Sequence, residues 1–340
     1  MDVLNGLLDG SRARGAFLIR SVLDPPWAMR IEDEAPLTIV AVTRGLACVA
    51  HASGSSTTLA AGDIALVLGP GHYTVADGPG TRPTIVIHPG QRCTTLDGEP
   101  LAIAMGLGTR TWGNTPTGST TMLTGTYEHH STVSRRLLDT LPPVVVVRAG
   151  EWDSPLVPLL AAEIVKDDPG QEVVLDRLLD LLVVAVLRAW LARPGAEPPA
   201  WWRASSDLVV GPALRLLHED PARSWTVAGL ARQVGVSRAN LARRFTEVVG
   251  QPPMAYLADW RMSLAADLLV QPGATVGSVA SRVGYGSPFA LSAAFKRVHG
   301  VSPQAHRRLR RPDLDERGTN GPVASAPNRS GSSGDTKRDD

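Results

Sequence analysis

The sequence predicts an α+β chain in which a sandwich or barrel of short strands is followed by two helices and then by an all-α region. Three observations predict it. Between Ala16 and Arg148, short β-branched runs are divided by Gly, Pro and Asp; from Ser154, apolar residues fall at helical intervals; between Val227 and Pro303, one pattern of helix, turn and helix occurs twice.

The expected strands are AFLIRSV, LTIVAVT, LACVAH, IALVL, TIVIH, LAIAM and VVVVR, and residues 1–150 form the first domain. The helical pair, residues 151–193, spans Leu156–Val165 and Val173–Leu191, with Leu175, Leu178, Leu179 and Leu182 on one stripe. Residues 194–204 are Pro-rich from Pro194 to Pro199 and read as a stiff linker. The all-α domain covers 205–311, and residues 312–340 have the Gly, Ser, Asn, Pro and charge content of a disordered tail.

The first copy of the duplicated pattern is VAGLARQVGVSRANLARRFTEVVGQPP and the second is VGSVASRVGYGSPFALSAAFKRVHGVSP. Val227 and Val276 are 49 apart, whereas Leu241 and Leu291, Phe245 and Phe295, and Pro253 and Pro303 are each 50 apart, so the extra residue falls in the turn. Val227, Leu230, Ala231 and Val234 make one face of a short helix, Gly235 supplies the tight turn, and Ser237 is a natural N-cap. The next helix buries Leu241, Phe245, Val248 and Val249 and turns Ala239, Ala242, Arg243 and Thr246 outward. The same wheel on the second copy buries Leu291, Phe295 and Val298, caps with Ser287, and turns Phe289, Ser292, Ala293 and Lys296 outward.

These outward faces differ in chemistry. Arg243 suits a bidentate contact to guanine, whereas its counterpart Ala293 offers only packing, for instance against a thymine methyl. Lys296 and Arg297 suit phosphates, which position without specifying. The expected DNA-contacting set is Ser237, Arg238, Ala239, Ala242, Arg243, Arg244 and Thr246 in the first copy, with Ser287, Phe289, Ser292, Ala293, Lys296 and Arg297 in the second. A helix aligning Leu257, Trp260, Arg261, Leu264 and Leu268 separates the copies. Successive major-groove faces lie about 34 Å apart, so one chain spans two turns of DNA.

The charge is divided in the same way as the pattern. Over 340 residues the formal net charge is +1, but residues 205–311 hold 14 Lys/Arg against 6 Asp/Glu, while residues 1–204 hold 16 against 21. Concentrated positive charge supplies the salt-dependent part of nucleic-acid affinity. Two cysteines, Cys48 and Cys93, suit a reducing cytoplasm and exclude a disulfide framework or a four-Cys zinc site. The N-terminus lacks a secretory pattern, and the apolar stretch around Leu182 is interrupted by Asp176, Arg177 and Asp180. A cytoplasmic protein with no membrane contact is expected.

At WTVAGLARQVGVSRANLARRF, YLADWRMSLAADLL, GYGSPFALSAAFKR and GVSPQAHRR, the chain resembles the AraC/XylS family of transcription regulators over about Asp207 to Arg308. The resemblance implies a seven-helix domain with two helix-turn-helix motifs, promoter DNA as partner, homodimerisation, an effector acting through the N-terminal part and, for an activator, RNA polymerase as a further partner. The first two hundred residues look like a cupin-type sensor barrel, best at AAGDIALVLGPGHYTVADG. There Gly62-Asp63 is expected to make a hairpin turn, and His72 occupies the place of the second cupin motif. Metal-binding cupins also use a His-x-His pair and a Glu in an earlier strand, which here reads APLTIVAVTRG with Arg44 near the acidic position. One His does not make a metal site, so His72 is read as a hydrogen-bonded barrel residue and the only named candidate toward an effector.

Some relatives sense oxidants through a cysteine where this chain has Thr124. Glu128, His129 and His130 tempt a metal reading, but neighbouring side chains on a strand face opposite ways. The helical pair suits either a dimer contact or packing against the barrel. No catalytic residue, metal or cofactor is expected. The leading function is a sequence-specific regulator of transcription; the alternative is a cupin metalloenzyme fused to a DNA-binding module, which needs three convergent ligands. DNA repair with a metal-held cysteine needs more cysteines than two.

Overall fold

The computed structural model describes residues 16–127, 138–193 and 199–309. Glu128, His129 and His130, the first part of the expected linker and the tail 312–340 lie outside the described residues.

The N-terminal part is mostly sheet. One sheet has seven strands in the order β10 (Gly106–Gly108), β11 (Thr111–Gly113), β1 (Phe17–Leu23), β12 (Thr120–Tyr127), β3 (Leu37–Arg44), β6 (Ile64–Leu68) and β13 (Val144–Val147). The other has six, in the order β5 (Ser56–Ala60), β4 (Leu46–His51), β7 (Tyr73–Ala76), β2 (Ala28–Ile31), β8 (Ile85–His88) and β9 (Arg92–Thr95). Both sheets end in edge strands, so the expected barrel is instead a pair of facing sheets that hydrogen bonding does not close.

The continuous apolar runs have a physical reason in this layering. Along β3, Leu37, Ile39 and Ala41 point into one core while Val40 and Val42 point into another. Strand β6 divides Ile64 and Leu66 from Ala65 and Val67 in the same way. A strand covered on both faces loses polar alternation. The core between the sheets holds Val40, Val42 and Met122 against Met29, Val49, Leu59 and Val75. The core on the other side is completed by α1 (Leu156–Glu163) and α2 (Gln171–Leu191), through Leu160, Leu175, Leu179, Leu182 and Val186.

Strand β12 approaches α2 so closely that a Cβ on Gly125 would stand 2.5 Å from Leu179 Cδ1. No strand forms at LAIAM. The Met105 amide donates to the Leu101 carbonyl at 3.0 Å, closing a turn that leaves Ile103 96% exposed. A five-residue apolar run carries too few periods to separate strand from turn. Gly62-Asp63 is not a hairpin turn either, because β5 and β6 belong to different sheets. Asp63 instead fastens the crossover, accepting from the amides of Ala60 and Ala149 at 3.0 and 2.9 Å and from Arg148 Nη1 at 2.8 Å.

Residues expected as linker are partly helical: α3 (Ala200–Ser206) packs Trp201 and Trp202 on the core beneath α2. Trp201 Nε1 donates to Thr140 Oγ1 at 2.9 Å. Further helices are α4 (Val210–Glu219), α5 (Val227–Gln233), α6 (Arg238–Val249), α7 (Pro253–Leu269), α8 (Val276–Arg282), α9 (Pro288–His299) and α10 (Pro303–Leu309). They build two cores. Leu214, Leu217, Leu230, Leu241, Phe245 and Leu257 form one, and Met262, Ala266, Leu269, Val279, Leu291 and Phe295 form the other. Helix α7 therefore gives its first half to one core and its second half to the next. Val298, expected inside, is 49% exposed, and Ala294 takes the buried position beside Phe295. Among the described residues, no helix is long and apolar enough to cross a membrane.

Candidate nucleic-acid interface

The two helix pairs are built by the same local chemistry. Thr226 accepts from the Gly229 amide and Thr275 from the Ser278 amide, both at 3.0 Å, so each first helix starts on a threonine cap. Gly235 and Gly284 then take φ of +76° and +78°, a region that disfavours side chains, and so turn the chain toward its second helix. Ser237 accepts from the Asn240 amide at 3.2 Å and Ser287 from the Ala290 amide at 3.1 Å. Between glycine and cap stand Val236 in one copy and Tyr285-Gly286 in the other, which accounts for the one-residue difference in spacing.

With Leu241 and Phe245 buried, α6 exposes Arg238, Ala239, Arg243, Arg244 and Thr246, while Ala242 is half-buried and Ser237 exposed. Arg243 lies along the helix surface, with Nη1 on Glu247 Oε1 at 2.7 Å and Nη2 on Asn240 Oδ1 at 3.3 Å. An exposed pair four residues apart contributes only about 0.3–0.5 kcal/mol, so Arg243 is released at little cost. Arg244 is held differently. Its Nε and Nη2 both reach Asp207 Oδ2, at 2.9 and 2.7 Å, and Asp207 Oδ1 accepts from the amides of Val209 and Val210. Burial opposes ionisation of Asp207, but the Val210 and Val209 amides and Arg244 outweigh it and hold its carboxyl below the usual range. Arg244 is thus a brace between α6 and the start of α4. Thr246 turns its hydroxyl back to the Ala242 carbonyl at 2.8 Å.

On α9, Phe289 is 83% exposed and Ala293, Lys296 and Arg297 are exposed, with Ser287 and Ser292 half-buried. Ser292 donates to the Pro288 carbonyl at 2.8 Å, so its hydroxyl is also satisfied within its helix. Two exposed arginines outside the expected set, Arg232 and Arg282, end α5 and α8. The helical wheel of the second helices alone does not reach them, but their basic last turns were readable. Arg261 and Arg307 donate to backbone carbonyls at Pro221 and Leu269 and serve the scaffold.

The facing sheets enclose a cavity of about 330 Å³. Its walls are chiefly apolar, including Ile19, Met29, Val75, Trp112 and Met122, with Asp33, Gln91, Cys93, Arg110 and Thr124 among its polar groups. Tyr73 lines it; His72, one residue earlier, does not, and its side chain is 58% exposed with Nδ1 4.0 Å from Glu32 Oε1. The reading of His72 as a hydrogen-bonded barrel residue is therefore corrected, because adjacent residues at a strand's start face opposite ways. Cys93 is buried, and burial pushes its thiol up to about 11. Cys48 is also buried, 3.3 Å from Ser56 Oγ. Among the described residues, no three His, Cys, Asp or Glu side chains are grouped to hold a metal ion.

A family model described as Cupin matches residues 2–192, and one described as Helix-turn-helix domain matches residues 230–309. A Streptomyces lividans protein named as an AraC-like transcription regulator is 34% identical over 314 residues, 91% of this chain and 98% of its own length. A Streptomyces antibioticus protein of the same name is 32% identical over 317 residues, 91% of this chain and 99% of its own. The crystal structure of the DNA-binding domain of AdpA in complex with a target DNA is 34% identical, covers 32% of this chain and 99% of that chain, and has a TM-score of 0.30.

Proposed function

The chain belongs to the AraC-like transcription regulators and carries a cupin-family N-terminal part, and from that premise we propose how its parts divide the work. As a DNA-binding transcription regulator, it reads promoter DNA with α6 and α9, the second helices of two helix-turn-helix motifs. Arg243 reads bases, Phe289 and Ala293 make apolar contacts, and Lys296 and Arg297 grip phosphates. Ser237, Arg238, Ala239, Ala242, Thr246, Ser287 and Ser292 line the two approaches, and Arg244 acts chiefly through Asp207. The observation that carries this reading is the pairing of two identically capped helix pairs with a region of 14 Lys/Arg against 6 Asp/Glu.

The cavity between the sheets is the effector site. Its volume and apolar lining with a few polar groups are those of small-molecule pockets. The exposed apolar residues Val174 and Leu181 on α2 and Leu159 on α1 suit contact with a second copy of the chain. RNA polymerase is a further partner if the protein activates. A metalloenzyme would need convergent ligands, whereas His72 stands on the surface, and relatives named as regulators favour a non-enzymatic role.

Mapping of bound sites across the source genome tests the reading. Enriched sites with two half-sites about one helical turn apart are expected. A map without enrichment, or binding in vitro that is only non-specific and salt-sensitive, would overturn it.

A further inference from the structure

Among the described residues that line the cavity, Arg110, on the turn between β10 and β11, is the one cation. The cavity's acidic group is already occupied: Asp33 Oδ2 accepts from Gln91 Nε2 at 2.9 Å and Oδ1 from the Ala35 amide at 3.1 Å. Arg110 has only a neutral acceptor. Its Nη1 donates to Gln171 Oε1 at 2.6 Å, and among the described residues no carboxylate lies within ion-pair distance of it. A carboxylate accepts from guanidinium about twice as strongly as an amide does, so an anionic group entering the cavity competes for Arg110.

Gln171 is the first residue of α2, is only 4% exposed, and donates through Nε2 to the Glu163 carbonyl at the end of α1. Losing Arg110 would leave its buried oxygen without a donor. The separating wall is one strand thick. Met122, Thr124 and Thr126 of β12 face the cavity, whereas Gly125 meets Leu179 and Tyr127 donates to Asp180 Oδ1 at 3.2 Å on α2.

We propose that the effector is a small organic acid with an apolar body, seated with its carboxylate on Arg110, and that it displaces Gln171 and so signals occupancy to α1 and α2. This rests on the reading of the cavity as the effector site.

Calorimetric titration of the full chain tests it, with octanoate and 3-phenylpropionate as probes beside the alcohol and the amine of each skeleton. The acid of at least one skeleton binds about tenfold or more tighter than its alcohol, and the amine binds weakest. Arg110→Gln removes the preference for acid over alcohol, and Arg110→Lys retains part of it. Gln171→Met tightens the acid severalfold, Gln171→Glu weakens it, and neither moves the alcohol. Hydrogen exchange at the first turn of α2 rises with the acid and not with the alcohol.

If alcohol and acid bind alike, or acid binding ignores Arg110, the acid assignment fails. The cavity reading survives that result where Thr124→Trp, which fills the space, abolishes alcohol binding. If no probe of either skeleton binds in any form, the acid assignment and the cavity reading fall together.

Discussion

Two guanidinium nitrogens of Arg244 converge on one carboxylate oxygen of Asp207, leaving the other oxygen to the amides that begin α4. The pair joins α6 to the segment after α3, whose tryptophans pack on the N-terminal core. Arg244→Ala and Asp207→Ala are each expected to lower stability, and a double-mutant cycle in urea should return a non-zero coupling, since two guanidinium nitrogens share Asp207 Oδ2. Additive losses would show that the contact carries no energy. Discrimination between DNA sequences should be unchanged in Arg244→Ala.

Arg243 and Lys296 are expected to fail differently. Arg243→Ala relaxes preference at one or two base positions, at about 1–3 kcal/mol for the preferred site. Lys296→Ala weakens all sites alike and lowers the salt slope of log K by about 0.9. Glu247→Gln, which releases Arg243, should tighten the preferred site. Fluorescence anisotropy over a panel of site variants and salt concentrations distinguishes these outcomes; uniform loss in both mutants would remove the division of labour.

Gly125 admits α2 to the sheet. Gly125→Ala places a methyl against Leu179 and is expected to cost about 1–3 kcal/mol by overpacking. Adding Leu179→Ala should recover part of that loss, so the double variant melts higher than the sum of the single losses implies. Thermal melts followed by circular dichroism would check it.

Asp63 gives the N-terminal part a dependence on acid. Burial opposes its charge, but the Ala60 amide, Arg148 and the Ala149 amide outweigh this and hold its carboxyl below the usual range. A depressed folded value means the stabilisation is full above the unfolded value of about 3.9 and is lost as pH falls through the folded one. At pH 7, Asp63→Asn should cost roughly 1.5–3 kcal/mol. The gap between wild type and variant should shrink steadily below about pH 4. A gap independent of pH would mean the charge plays no part.

Cys93 should be a poor nucleophile. With its thiol at about 11, against 9.0 for an ordinary one, the thiolate fraction at pH 7.5 falls roughly a hundredfold, and iodoacetamide labelling should slow at least as much. Urea should restore the ordinary rate. Rapid labelling in the native state would point to a sensor instead.

The duplicated helix pairs were legible because their signals are local: a glycine, a serine cap and an apolar stripe within a dozen residues, as at Gly235, Ser237 and Leu241. The cavity was not. Asp33 meets Gln91, and Arg110 meets Gln171, only once strands and helices far apart in sequence have paired, and sheet order leaves no local mark. A register of one residue separates His72, singled out by resemblance, from Tyr73, which lines the cavity. Asp207 was legible as the start of the family resemblance, though its grip on Arg244 depends on the turn of α6.

Helix α7 belongs to two cores at once, so the second helix pair is indexed to the first in angle as well as in distance. Each residue added within it would rotate α9 about the axis of α7 by about 100° and carry it about 1.5 Å. A single insertion would thus put the two pairs out of phase while every capping residue and every exposed side chain of α6 and α9 stayed the same. The angle between the two helix pairs is thus a rotational setting, held by Leu257, Met262, Ala266 and Leu269.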